Sequence, residues 1–159
     1  MPVDYLSIID RKQLLFKSTS DFIWDHPETA FTEYESAACL LAALREEGFE
    51  VEEGLAGIPT AFLGRFGSGR PVIGILGEFD ALSGLGQESP ATQRSPDGKP
   101  CGHGCGHNLL GAASLAAAVA VKAYLESSGK AGTVIYFGCP GEEGGSGKTF
   151  MVRDGVFDG

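Results

Sequence analysis

Side chains that bind metal ions or move protons crowd into two short glycine-rich stretches. The first is Cys101-Gly-His103-Gly-Cys105-Gly-His107, which holds two of the chain's three histidines and two of its four cysteines. In extended backbone, residues i and i+2 point to the same side. Cys105 and His107 can therefore reach one ion or a pair of adjacent ions, and thiolate with imidazole suits zinc and similar divalent metals. The alternatives are a glycine-rich turn with incidental thiols, a structural zinc knot, and cysteine redox chemistry. The knot needs a second ligand pair and the redox motif needs C-x-x-C, and the sequence has neither. The second stretch runs Gly138-Cys139-Pro140-Gly141-Glu142-Glu143-Gly144-Gly145-Ser146-Gly147-Lys148. Adjacent carboxylates there can divide labour, one binding metal while its neighbour takes a proton from water. The alternative is a solvated acidic turn. Gly147-Lys148-Thr149 imitates a phosphate-binding loop, but that motif requires glycine where Glu142 stands.

Two further residues are candidates by position. Asp80 follows an apolar run and can orient a ligand or a base, with a turn cap as the alternative. His26 stands before Pro27 at a helix end, where a structural contact with the last carbonyls is the simpler reading.

The elements that must position these groups alternate in type. Apolar spacing predicts a helix over residues 4–24, ended by Asp25-His26-Pro27. Thr32-Glu33-Tyr34-Glu35 reads as a capping box, Thr32 at N-cap and Glu35 at N3, opening a helix to about residue 47. Strands are expected over 49–52, 60–66 and 71–79, the last as a buried apolar run. A long loop over 80–106, an Ala-rich helix over 108–125, a buried strand over 132–138 and a final helix from Lys148 complete the order. The class is α/β with a mostly parallel or mixed sheet. The two chemical stretches then lie beyond strand ends, where ligands bind in such sheets.

The bulk composition narrows the partners. A length of 159 residues fits one domain. Twenty-one acidic against 12 basic residues give a charge of −9, which argues against nucleic acid or an anionic membrane as partner. The longest apolar run, 109–121, falls short of a membrane span. The N-terminus lacks a basic and apolar leader, so a cytoplasmic chain is expected, with Cys39, Cys101, Cys105 and Cys139 as thiols or ligands.

Three motifs in order carry a resemblance: Gly77-Glu-Phe-Asp80-Ala-Leu, then Gly102-His-Gly-Cys105-Gly-His107-Asn-Leu-Leu-Gly111, then Gly141-Glu142-Glu143-Gly-Gly. Together they resemble the amidohydrolase branch of the dinuclear metallo-aminoacylase and carboxypeptidase superfamily. Ile23-Trp-Asp-His-Pro-Glu-Thr29 and residues 140–152 make the p-aminobenzoyl-glutamate hydrolase group, B-subunit type, the nearest part of it. The resemblance implies a three-layer αβα, zinc-peptidase-like (phosphorylase/hydrolase-like) fold with a mixed sheet. It implies Cys105, His107 and Glu143 as metal ligands, Glu142 as general base and Asp80 as the aspartate that orients them. His103 matches a position that is not a ligand. Two divalent ions, zinc or manganese, are the implied cofactors, and the implied reaction is hydrolysis of an amide in N-acyl amino acids or aminobenzoyl-glutamate-type substrates.

Departures accompany the likeness. Glu78 stands where the wider superfamily has a liganding histidine, and Cys105 takes that role. Asn108 replaces the aspartate of many branch members, as in the aminobenzoyl-glutamate group. The family supplies two more histidine ligands downstream, and no histidine follows His107 here. Residues 1–159 are therefore expected to be the N-terminal part of a catalytic domain. The rest of that domain and a lid or dimerisation domain, which makes a homodimer or heteromer, would lie outside, and these residues alone would bind metal weakly and turn over poorly. The rival readings are a non-catalytic remnant or subunit, and a nucleotide-binding module.

Overall fold

The computed structural model describes residues 5–89 and 96–158. The first expected helix is two helices, α1 (Tyr5–Arg11) and α2 (Gln13–Asp25), parted at Lys12. Ile8, Phe16 and Ile23 stay buried in one core across the break, so apolar spacing alone does not reveal it. Pro27 ends α2 as expected, and His26 stacks on Phe22 and places Nδ1 2.8 Å from the Phe22 carbonyl.

The next helix, α3 (Tyr34–Glu46), is capped differently from the capping-box reading. Thr32 Oγ1 donates to the Thr29 carbonyl at 2.7 Å and leaves the helix end alone. Short hydroxyl side chains bond readily to nearby backbone, and here that local turn wins. The Glu28 carboxylate accepts the N–H groups of Glu35 (3.0 Å) and Ser36 (2.9 Å) instead.

Four strands form the main sheet: β1 (Glu50–Glu53), β2 (Phe62–Ser68), β3 (Val72–Gly77) and β6 (Gly132–Gly138). Their order is β1-β2-β6-β3. The β1/β2 and β2/β6 pairs are antiparallel and β3/β6 is parallel, so the sheet is mixed. The Ala-rich helix α4 (His107–Ser128) and the short helix α6 (Gly147–Arg153) flank it. Every residue of β6 is buried. Its side chains alternate: Val134 and Tyr136 enter the core beneath α1 to α4, while Ile135 and Phe137 enter a second core with Leu63 and Met151. Helices thus lie on both faces, the three-layer αβα arrangement, with one layer built on α4 and α6 over part of the other face.

Two expectations need correction. The apolar run of β3 reads as buried, yet Val72, Ile73 and Leu76 are 40–45% exposed. β3 is the last strand of the order, so it has a partner on one side only, and Ile75 is the residue it turns onto the helical core. The long loop is also not structureless. A short ladder, β4 (Leu82–Ser83) with β5 (Cys101–Gly102), pins its two ends together; residues 90–95 lie outside the described part.

Candidate metal centre and active site

β3 and β6 run parallel and end side by side, with Gly77 opposite Gly138. The segments leaving those two ends carry the chemistry. Glu78 and Asp80 leave β3; Glu142 and Glu143 leave β6 in a single tight turn, α5 (Glu142–Gly145), whose Glu143 and Gly144 depart from helical angles. The third contributor is the start of α4, where His107 is the first helical residue. Cys105 and His107 do converge, but not through the extended alternation expected of them. The Gly106 N–H bonds back to the His103 carbonyl at 3.1 Å and Gly106 is left-handed, so a turn brings the two side chains round.

Glycine is required in the second loop for a visible reason. Gly141 has φ +62, and a Cβ there would meet the Phe31 ring at 2.7 Å. At Gly147 a Cβ would lie 1.9 Å from the Pro140 carbonyl oxygen. The loop folds back on itself, with the Gly147 N–H donating to the Gly141 carbonyl at 3.1 Å.

At the centre is His107, a buried imidazole among acids. Its Nδ1 lies 2.9 Å from Asp80 Oδ1 and 3.1 Å from the Asp80 carbonyl oxygen. Both are acceptors, so Nδ1 carries a proton and Nε2 faces the site. Nε2 is 3.0 Å from Glu78 Oε2, 3.9 Å from Glu142 Oε2 and 4.0 Å from Glu143 Oε1. The bond to Asp80 raises the His107 pKa above its ordinary value; burial works against this, and the charges of Asp80, Glu78 and Glu143 add to it. Burial pushes Asp80 upward, but its bonds to His107 and to the Glu143 N–H, with the His107 charge, carry it below the usual range. Asp80 is fully buried and its Oδ2 accepts from the Glu143 N–H at 2.8 Å. One carboxylate therefore orients the imidazole and ties down the acidic turn.

The donors fall into two overlapping groups. Cys105, His107 and Glu143 form one; Glu78, His107 and Glu142 form the other, and within each group the ligand atoms lie within 4.8 Å of one another. The set suits divalent cations. The carboxylates of Glu78, Asp80, Glu142 and Glu143 and the Cys105 thiol surround the His107 imidazole, and Lys148 adds a cation whose Nζ pairs with Glu78. The exposed Cys105 thiol has its pKa raised, first by its hydrogen bond to Glu143, then by desolvation and the charges of Glu143, Glu142 and Glu78. A bound cation reverses that balance and favours thiolate. Glu142 is the most open carboxylate of the cluster, its side chain 43% exposed against 21% for Glu143 and 17% for Glu78.

Other expected residues are placed outside the cluster. His103 is buried and gives its Nε2 to the Ile23 carbonyl at 3.0 Å. Burial pushes its pKa down to about 4. Cys101 donates to the Pro27 carbonyl, Cys139 is buried in the second core at the start of the second stretch, and all four cysteines are free thiols. Lys148 is engaged by Glu78, which leaves the phosphate-loop imitation without its cation. Sequence reasoning missed Glu78 as a donor. The signal was its spacing, since residue 78 shares a side with Asp80 in extended backbone.

Known proteins share this fold. The profile of peptidase family M20/M25/M40 matches residues 74–159. The chain is 55% identical over 151 residues to a p-aminobenzoyl-glutamate hydrolase of Escherichia coli K12, the B-type chain of that enzyme, covering 94% of this chain and 31% of that protein. It thus spans about a third of the length of that curated relative. A solved aminohydrolase-like structure from methicillin-resistant Staphylococcus aureus superposes with TM-score 0.76 at 28% identity, over 95% of this chain and 38% of the other. A dinuclear metal-binding peptidase from Bacillus subtilis superposes at TM-score 0.74 and 23% identity, over 92% and 41% of the two chains, and supports the fold.

Proposed function

The chain belongs to peptidase family M20/M25/M40, and from that premise we propose that its acidic cluster hydrolyses an amide bond in N-acyl amino acids or aminobenzoyl-glutamate-type substrates. The observation that carries the reading is the convergence of Glu78, Cys105, His107, Glu142 and Glu143 from three chain segments onto one spot beyond adjacent strand ends. Cys105, His107 and Glu143 are the residues that would hold a divalent ion, with Glu78 beside His107 as a further donor. Zinc or manganese, two per site, would supply Lewis-acid polarisation of the scissile carbonyl and acidify water.

The chain's own residues do the rest. Asp80 holds His107 in the orientation that presents Nε2 to the site. Glu142, the carboxylate most open to solvent, takes the proton of the attacking water and returns it to the leaving amine. Residues 1–159 act in this proposal as the N-terminal part of the catalytic domain of a cytoplasmic enzyme. The E. coli relative is named as one of the chains of its hydrolase, which favours a second, different chain as partner.

Replacing Glu142 with Gln in the full-length enzyme tests the assignment. The expected result is loss of at least about a hundredfold in hydrolysis of p-aminobenzoyl-glutamate, with bound metal, measured by elemental analysis, unchanged. A variant that keeps its rate removes Glu142 from the role.

A further inference from the structure

Glu33 is a carboxylate with zero solvent exposure whose partners among the described residues are uncharged donors. Oε1 accepts from the Phe31 N–H at 2.9 Å and from the Gly141 N–H at 2.8 Å. Oε2 accepts from Thr60 Oγ1 at 3.0 Å. Burial raises its pKa, and the hydrogen bonds restrain that rise. A buried carboxylate without a cation costs folding energy that an uncharged acceptor such as glutamine avoids.

Its place in the fold points elsewhere. Gly141 is the left-handed hinge immediately before Glu142. Past Glu142, the Glu143 N–H is held by Asp80. Glu142 therefore hangs between two backbone amides, each gripped by a buried carboxylate from a different element. The same Glu33 oxygen also holds the backbone of Phe31, whose ring lies against Gly141 and Gly145. We propose that Glu33 is a positioning residue, setting through Gly141 the placement of Glu142 and Glu143. This rests on the reading of Glu142 as the base.

The test compares Glu33→Ala, Glu33→Gln and Thr60→Val in the metal-loaded full-length enzyme. Glutamine keeps an oxygen for the Phe31 and Gly141 amides, whereas Thr60→Val touches only Oε2. The main readout is hydrogen exchange at the Glu143 amide by NMR, a group bonded to Asp80 and not to Glu33. In Glu33→Ala this amide exchanges at least about tenfold faster. Its kcat for p-aminobenzoyl-glutamate falls at least about tenfold while KM stays within about threefold. Glu33→Gln recovers most of both, and Thr60→Val lowers the melting temperature with exchange and kcat within about threefold of wild type. Should Glu33→Ala fail to fold, Glu33→Asp, one methylene shorter, takes its place with the same readings. Unchanged Glu143 protection, or equal losses of kcat in the Glu33 and Thr60 variants, overturns the proposal. Glu142→Gln run in parallel separates the two ideas. If it keeps its rate the base assignment fails, while the exchange measurement still decides Glu33.

Discussion

His107 and His103 are four residues apart, both buried, and in opposite electrostatic situations. His107 lies among acids that favour its charge; His103 donates one nitrogen to the Ile23 carbonyl while its Nδ1 has no partner among the described residues. A proton added at that Nδ1 would be a buried charge without a hydrogen-bond acceptor, near His107, and the charges of Asp80 and Glu28 offset only part of the cost of burial. The folded-state pKa is about 4 against 6.5 ordinarily, so the stability held above pH 6.5 is lost as pH falls towards 4. At about 1.4 kcal/mol per pH unit, the loss comes to about 3 kcal/mol. Glutamine at 103 keeps a donor for the Ile23 carbonyl and does not titrate. Urea unfolding at neutral and acid pH should therefore show His103→Gln losing about 2–3 kcal/mol less than wild type on acidification. A parallel loss in both proteins would assign the acid sensitivity to other groups. Cys105, His107, Glu142 and Glu143 were legible as a site because ligand-type side chains stood in glycine-rich sequence at short spacing. Glu33 was not, because the amide it holds is 108 positions away, and nothing local distinguishes it from a helix-cap glutamate.

At the scale of elements, strand β6 and helix α4 matched their sequence patterns closely, since each is long, apolar and packed into the core. The failures were at ends and edges. The capping box at residues 32–35 fitted the pattern, but Glu28 from the preceding segment does the capping. Glu28→Ala should therefore destabilise the fold by about 1–2 kcal/mol, the usual range for a lost cap. Thr32→Ala, which removes only a local turn bond, should cost less than about half of that. Thermal unfolding of the two variants decides between them, and an equal or larger effect at Thr32 restores the capping-box assignment. The exposure of β3 has a similar origin. A continuous apolar run signals covered faces but does not report whether the strand sits inside the order or at its end.

At the scale of the whole molecule, the cluster joins the ends of β3 and β6 to the start of α4, so a cation held there crosslinks three parts of the chain. Ligand binding to the folded state alone adds about 2.7 kcal/mol at a hundredfold excess over Kd. For a domain of this size that corresponds to a rise in Tm of about 5–10 °C. Calorimetry with zinc or manganese against EDTA should show it, and Glu143→Ala should abolish most of it. A metal-independent Tm would separate the cluster from any stabilising role. The order β1-β2-β6-β3 has one more consequence, for the birth of the protein. β2 and β3 follow each other in the chain but never pair, because β6 lies between them. During synthesis the sheet cannot close until Gly132–Gly138 has left the ribosome, and such non-local pairing is slow. Glu142 and Glu143 emerge directly behind that strand. A nascent chain thus displays Cys105 and His107 as a half-built cluster, and the two glutamates join them only when β6 has been threaded home.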